Sequence, residues 1–178
     1  MEHHLQKIMA EFQIRDGLLL YRNQRQVMVN CSWFAALQAG LESTLGDIGA
    51  ASLISSAAKT WGTRMLGDFK PLVKGMPFEE TVKFVLQIYN IAGWGPAELQ
   101  EFSTNPPRIV LKKTEPYFEN GYNGSADGPR CYLYLGVTRI IEGLAKAEGF
   151  PELETTETKC IAKGDPHCEF VLEPSSLG

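Results

Sequence analysis

The residues best suited to chemistry are cysteines in the last third of the sequence. Cys160 and Cys168 are placed symmetrically about Gly164, in a stretch typical of a hairpin. Residues opposed across a hairpin have Cβ atoms about 4.5–5.5 Å apart, so two thiolates there can share one metal ion. Glu157 lies shortly before Cys160, and Cys131 stands at the predicted start of a helix.

These four residues have the chemistry of a structural zinc site. Zinc takes four ligands in a tetrahedron, with Zn–S bonds of about 2.3 Å. At a helix start the macrodipole lowers the pKa of a thiol, which favours the Cys131 thiolate. Glu157 is the weakest geometric link, because residues three apart on a regular strand face opposite sides. The site therefore requires a bulge or a twist between Glu157 and Cys160.

Other interpretations of the same residues stay open at this point. Cys160 and Cys168 are also compatible with two buried thiols, or with a disulfide formed after purification. His167 is an alternative to Glu157 as the fourth ligand, although its position next to Cys168 points it to the other face. Cys31 has no partner pattern, and His3 and His4 are terminal.

The elements that must position these residues follow from hydrophobic periodicity. Helical spacing of apolar residues predicts an N-terminal helix over residues 1–12 and a last helix over 131–147. Between them we expect three more helices: 32–45 with Ser32 as N-cap, 47–69, and one that opens at Pro77 and stops at Gly93–Gly95. Gly62 and other small residues on the second of these would allow another element to approach closely.

Short alternating segments predict strands in pairs. Residues 17–21 and 26–29 are expected to form one hairpin, 98–102 and 108–112 a second pair, and 153–162 with 167–172 the terminal hairpin. Residues 120–129 hold three glycines and are expected to form a loop. The predicted fold class is α+β, with helices on one face of a mainly antiparallel sheet.

Composition narrows the function classes. The 178 residues carry a formal net charge of −4 and no cluster of Lys or Arg, which argues against a nucleic-acid partner. No apolar run is long enough to span a bilayer, and residues 1–12 lack the apolar region of a signal peptide. We therefore expect a cytoplasmic protein, where four cysteines in a chain of this length are metal ligands or free thiols rather than a disulfide framework.

The terminal hairpin carries a motif that identifies a family. The string Glu157-x-x-Cys160-x-Ala162-x-Gly164-Asp165-Pro166-x-Cys168-x-Phe170, preceded by Cys131-x-x-x-x-Gly136, resembles the 4-vinyl reductase domain family. This family is related to the sensor domains of aromatic-responsive activators and to Bet3-type trafficking subunits. In the sensor domains, three Cys and one Glu at matching positions bind a structural zinc. The resemblance thus implies structural Zn²⁺ at Cys131, Glu157, Cys160 and Cys168.

The resemblance also implies a fold and a set of partners. It implies a Bet3-like domain over residues 17–173 around an apolar pocket, between a helical extension (1–16) and a short tail (174–178). Family members are commonly homodimers, which would cover the apolar stripe of the extension. The Trp and His residues that hold phenol in the phenol-sensing branch have no clear match here, so phenol is not the expected ligand.

The sequence favours binding over catalysis. No Gly-x-Gly-x-x-Gly, phosphate-cradling loop, iron–sulfur cysteine set or nucleophile–base pair is found, so no catalytic residue is assigned and independent vinyl reduction is not expected. We expect a zinc-stabilised domain that binds a hydrophobic or aromatic small molecule and acts through a partner protein. The alternatives are a tetrapyrrole-binding accessory protein of chlorophyll-type biosynthesis and a Bet3-like interaction scaffold. The candidate pocket residues are Trp33, Trp61, Met65, Phe84 and Tyr89.

Overall fold

The computed structural model describes residues 10–21, 24–115 and 131–175; for Gln24 and Cys31 it describes the backbone alone. Its helices are α1 (Cys31–Val73), α2 (Phe78–Ile91) and α3 (Leu135–Ala147), with two 3-10 turns, Tyr132–Tyr134 and Ile161–Lys163. Its strands are β1 (Phe12–Arg15), β2 (Leu18–Tyr21), β3 (Gln24–Gln26), β4 (Ala97–Thr104), β5 (Pro107–Lys113), β6 (Leu153–Lys159) and β7 (Cys168–Pro174).

The strands form two antiparallel sheets. The small sheet has the order β1-β2-β3, and the main sheet has the order β4-β5-β7-β6. On β5 the side chains of Ile109 and Leu111 are buried against the helices. On the opposite face of the sheet, Arg108 pairs with Glu101 at 3.3 Å and with Glu173 at 2.6 Å. One face is therefore packed and the other is solvated, which confirms the predicted α+β class.

The long helix α1 joins the two helices predicted over residues 32–45 and 47–69. Gly46 separates them with φ 70° and ψ 166°, a conformation open to glycine, and the helix bends there. The N-cap is Asn30 and not Ser32, since the Asn30 side chain accepts a hydrogen bond from the Ser32 backbone N–H at 3.0 Å. No helix within the described residues is long and apolar enough to cross a membrane.

Helix α2 follows the sequence prediction closely. Pro77 precedes its first turn, and that turn carries Glu79 and Glu80. The predicted inner face is buried at Val82, Val85, Leu86 and Tyr89. After the helix, the side-chain amide of Asn90 exchanges two hydrogen bonds of 2.9 Å with the backbone of Ala97, which fixes the start of β4.

Several expectations lie wholly or partly outside the described residues or need correction. The predicted N-terminal helix falls mostly on residues 1–9, and the loop predicted at 120–129 lies in the gap between 115 and 131. Phe12–Arg15, placed in the helical extension, forms strand β1 instead, and the Phe12 and Tyr21 rings stack at 4.8 Å across the β1–β2 pair. The strand predicted over 26–29 ends at Gln26.

Helices α1 and α3 approach each other through glycine. A Cβ atom at Gly62 would overlap the carbonyl oxygen of Gly136 and lie 3.0 Å from the Cβ of Arg139. A Cβ at Gly136 would in turn lie 2.6 Å from the Trp61 ring. Backbone therefore packs directly against backbone at this crossing, as the small residues of α1 led us to expect.

We predict that Gly62→Ala lowers the free energy of unfolding by about 1–3 kcal/mol, because the methyl group forces the two helices apart. Gly67→Ala is the matched control on the same helix, where a Cβ would meet no atom within 4 Å. It should be neutral or stabilising by up to about 1 kcal/mol. Urea unfolding followed by far-UV circular dichroism measures both variants, and equal effects would contradict the close crossing.

Candidate functional site

The four residues predicted to bind metal meet at one corner of the main sheet. The three cysteine Sγ atoms and a carboxylate oxygen of Glu157 all lie within 4.8 Å of one another. Cys131, Cys160 and Cys168 are buried and are free thiols. The Sγ atoms of Cys131 and Cys168 are 3.3 Å apart, far beyond the bond of about 2.05 Å that a disulfide requires. Thiolates on a tetrahedral zinc ion lie about 3.8 Å apart, so this spacing suits shared coordination.

A bulge at the end of β6 brings Glu157 and Cys160 to the same side. The register pairs Glu157 with Phe170 and then Lys159 with Glu169, so one residue, Thr158, is extra. The irregularity is held by Glu169, which accepts hydrogen bonds from Thr158 Oγ1 at 2.7 Å and from Lys159 Nζ at 2.9 Å. These two bonds lower the pKa of Glu169. The bulge or twist that the sequence required is therefore present.

Asp165 positions Cys160 from the far side of the turn. Its Oδ2 accepts a hydrogen bond from the Cys160 N–H at 2.7 Å, and its own N–H donates to the Cys160 carbonyl at 3.2 Å. Gly164, at φ 95°, allows the chain to reverse between them. The sequence motif contained Asp165 without assigning it a role; an Asp beside a turn glycine, able to bond nearby backbone, was the available signal.

The remaining contacts bind the first ligand to the others. The Cys131 N–H donates to Glu157 Oε2 at 3.4 Å, and the Ile161 N–H donates to Cys168 Sγ at 3.4 Å. Glu157 Oε1 is buried and has no hydrogen-bond partner among the described residues. By contrast, His167 Nε2 lies 3.8 Å from Glu169 Oε2, so Glu157 and not His167 completes the cluster.

The electrostatics of the cluster oppose several negative charges in one place. Hydrogen bonds with Cys160 and Cys168, together with burial, raise the pKa of Cys131 well above its usual value. This overrides the lowering expected from the helix dipole. Burial and the neighbouring Cys160 raise the pKa of Glu157 to about 8.

Cys168 shows the same balance in detail. The hydrogen bond with Cys131 favours its thiolate, but the contact with Cys160 and burial outweigh it and raise its pKa to about 12. A divalent cation reverses this situation, because it neutralises the charges that otherwise repel each other. The donor set, its burial and the unsatisfied carboxylate oxygen together fit a metal ion.

The candidate pocket residues lie at different depths. Trp61 and Tyr89 meet edge to face, with ring centroids 5.7 Å apart. Met65 and Phe84 are partly buried and pack against the main core. Trp33 is 54% exposed, and its ring meets that of Phe34 edge to face at 5.4 Å.

Trp61 and Tyr89 belong to a larger group that we call the aromatic cluster: Phe34, Trp61, Phe69, Tyr89 and Trp94. The Trp94 ring lies 6.0 Å from both Phe34 and Trp61, and the Phe69 ring lies 5.8 Å from Tyr89. Sequence reasoning selected two of the five members. It also missed Lys113 and Tyr134, which are fully buried beside this cluster. The alternation of Ile109 and Leu111 on β5 was the signal for Lys113.

Helices over one face of an antiparallel sheet, with a cysteine–glutamate cluster at its corner, define a Bet3-like α+β domain. Residues 113–174 match the sequence model of the 4-vinyl reductase domain, so this part of the chain belongs to that family. The family resemblance seen in the sequence is thereby confirmed. No curated protein sequence matches the chain.

Two solved structures share the fold. The phenol-responsive sensory domain of the transcription activator PoxR, in complex with phenol, superposes with a TM-score of 0.78 at 18% identity, covering 98% of this chain and 90% of that one. Subunit 3 of a trafficking protein particle complex from Naegleria fowleri, covalently bound to palmitic acid, gives a TM-score of 0.55 at 14% identity, covering 83% and 96%. At these identities the likeness concerns the fold.

Proposed function

We propose that this protein is a zinc-stabilised domain that binds a hydrophobic or aromatic small molecule and reports it to a partner protein. The observation that carries the proposal is the aromatic cluster, which lies between α1, α2 and the start of β4. Small-molecule sites are mostly apolar and aromatic, with a few polar groups that fix orientation. The two solved structures of this fold contain phenol and palmitic acid, which are both small molecules with a large apolar part.

The metal in this proposal is zinc, and its role is structural. Three thiolates and one carboxylate form a closed set of four ligands, which leaves no position for a substrate. The ligands come from the turn before α3, from the end of β6 and from the start of β7. Bound zinc would therefore hold α3 against the terminal hairpin. Three free thiols side by side also suit a reducing compartment, which supports the cytoplasm as the location.

The zinc proposal predicts one equivalent of zinc in the purified protein by elemental analysis. Cys160→Ser should lose the metal and about 3–5 kcal/mol of unfolding free energy, the range reached when a structural metal is lost. Cys31→Ser is the matched control, since the cluster is formed by the other three cysteines, and should keep both. A metal-free wild type that is as stable as a zinc-loaded sample would refute the structural role.

For the ligand, we predict that a thermal-shift screen with aromatics, fatty acids and porphyrins finds at least one stabilising compound. Trp61→Leu should weaken its binding by about tenfold or more, because Trp61 lies inside the aromatic cluster. Trp33→Leu removes an exposed tryptophan at the edge of the cluster and should change affinity by less than about twofold. If no compound in any class stabilises the protein, the binding proposal fails and an interaction scaffold is favoured.

A homodimer forms part of the same proposal. Helix α1 exposes several large apolar side chains, including Ile48 at 88% and Leu53 at 51%. Met28, just before the helix, is also 88% exposed. Contiguous exposed apolar surface marks an interaction site, and a second copy of the chain brings an identical apolar face to cover it.

The dimer predicts a mass in solution of twice 19.8 kDa by light scattering. Ile48→Lys should shift the protein toward the monomer, because it places a charge within the apolar face. Glu154→Lys changes an exposed residue of the main sheet and should leave the mass unchanged. A monomeric wild type at micromolar concentration would contradict the dimer.

A further inference from the structure

Lys113 places a positive charge inside the protein. It is the last residue of β5 and shares the inner face of the sheet with Ile109 and Leu111. Its side chain is 0% exposed. A buried ammonium group costs several kcal/mol unless partners compensate it, and lysine is almost never buried without such partners.

The surroundings hold the ammonium group at the aromatic cluster. Lys113 Nζ donates a hydrogen bond to the backbone carbonyl of Trp94, whose ring belongs to the cluster. The same atom lies 5.5 Å from the centroid of the Tyr134 ring. Next to Trp94, a Cβ on Gly95 would lie only 2.6 Å from Lys113 Nζ. Glycine at position 95 therefore leaves the room that the ammonium group occupies.

A second polar group is buried in the same region. The Tyr134 residue is 0% exposed, and its hydroxyl has no hydrogen-bond partner among the described residues. Burial, followed by the proximity of Cys131 and Tyr89, raises the pKa of Tyr134. The hydroxyl therefore stays protonated at neutral pH and can donate. Buried polar groups without partners are rare in proteins and require a specific explanation.

We propose that the ligand of the aromatic cluster is an aromatic carboxylate, held by the Lys113 ammonium group with the Tyr134 hydroxyl as a second donor. This inference rests on the proposed ligand-binding function and specifies the class of ligand. An ammonium group has donors and no acceptor, so it selects an anion over a neutral amide of the same shape. Hydrogen bonds to charged groups are also stronger than neutral ones in a site of low dielectric constant.

The test compares two ligands of equal shape, 2-naphthoate and 2-naphthamide, by isothermal titration calorimetry on the full chain at pH 7.5. We expect 2-naphthoate to bind about 10- to 100-fold more tightly to the wild type, the factor that one charge-assisted hydrogen bond provides. In Lys113→Met this preference should fall below about threefold while 2-naphthamide binds as before. In Tyr134→Phe the preference should fall by a smaller factor, about 3- to 10-fold.

Each outcome decides the proposal. Equal binding of the two compounds to the wild type would overturn the acid preference and leave the binding function standing. Binding of neither naphthyl compound would also overturn it, whereas the binding function is judged separately by the wider screen. A preference that survives in a folded Lys113→Met protein would assign the anion to another group. If Lys113→Met does not fold, the wild-type ratio and its reduction in Tyr134→Phe decide the matter.

Discussion

The confinement of three sulfur atoms and one carboxylate within 4.8 Å sets the terms for the rest of the molecule. These groups come from three separate segments, so their contact fixes α3 relative to β6 and β7. Helix α3 then fixes α1 through the glycine crossing at Gly62 and Gly136. Helix α1 supplies Phe34, Trp61 and Phe69 to the aromatic cluster. The position of the cluster thus depends, through two packed helices, on the corner of the sheet.

A single turn connects the metal corner with the buried polar groups. Cys131 begins the segment, and Tyr134 follows at the end of the 3-10 turn, with a backbone hydrogen bond of 2.9 Å back to the Cys131 carbonyl. The Tyr134 ring packs on Phe170 at 4.9 Å, in the same strand as Cys168. Any shift of the metal ligands would therefore move one wall of the proposed ligand site. Bound zinc would thus support ligand binding without a position in the ligand site itself.

Much of the fold and of the metal cluster could be predicted from the sequence, because both depend on local pattern. Apolar periodicity located the helices, and the motif from Glu157 to Cys168 located the ligands. Longer-range effects explain the failures. The pKa of Cys131 is governed by its buried neighbours and not by a helix dipole, and a cap at Asn30 replaced the one expected at Ser32. Lys113 was overlooked because its charge argued for the surface, whereas its place in the strand put it inside.

The order of strands in the main sheet has a consequence for how the protein is made. Strand β7 lies between β5 and β6, although it follows both in the chain. During synthesis the inner edge of β5 has no neighbour until β7 emerges, and unpaired strand edges invite wrong pairing. Since Cys168 is the first residue of β7, the same event also completes the set of metal ligands. Closure of the sheet and capture of the ion are thus one late step in the birth of the chain.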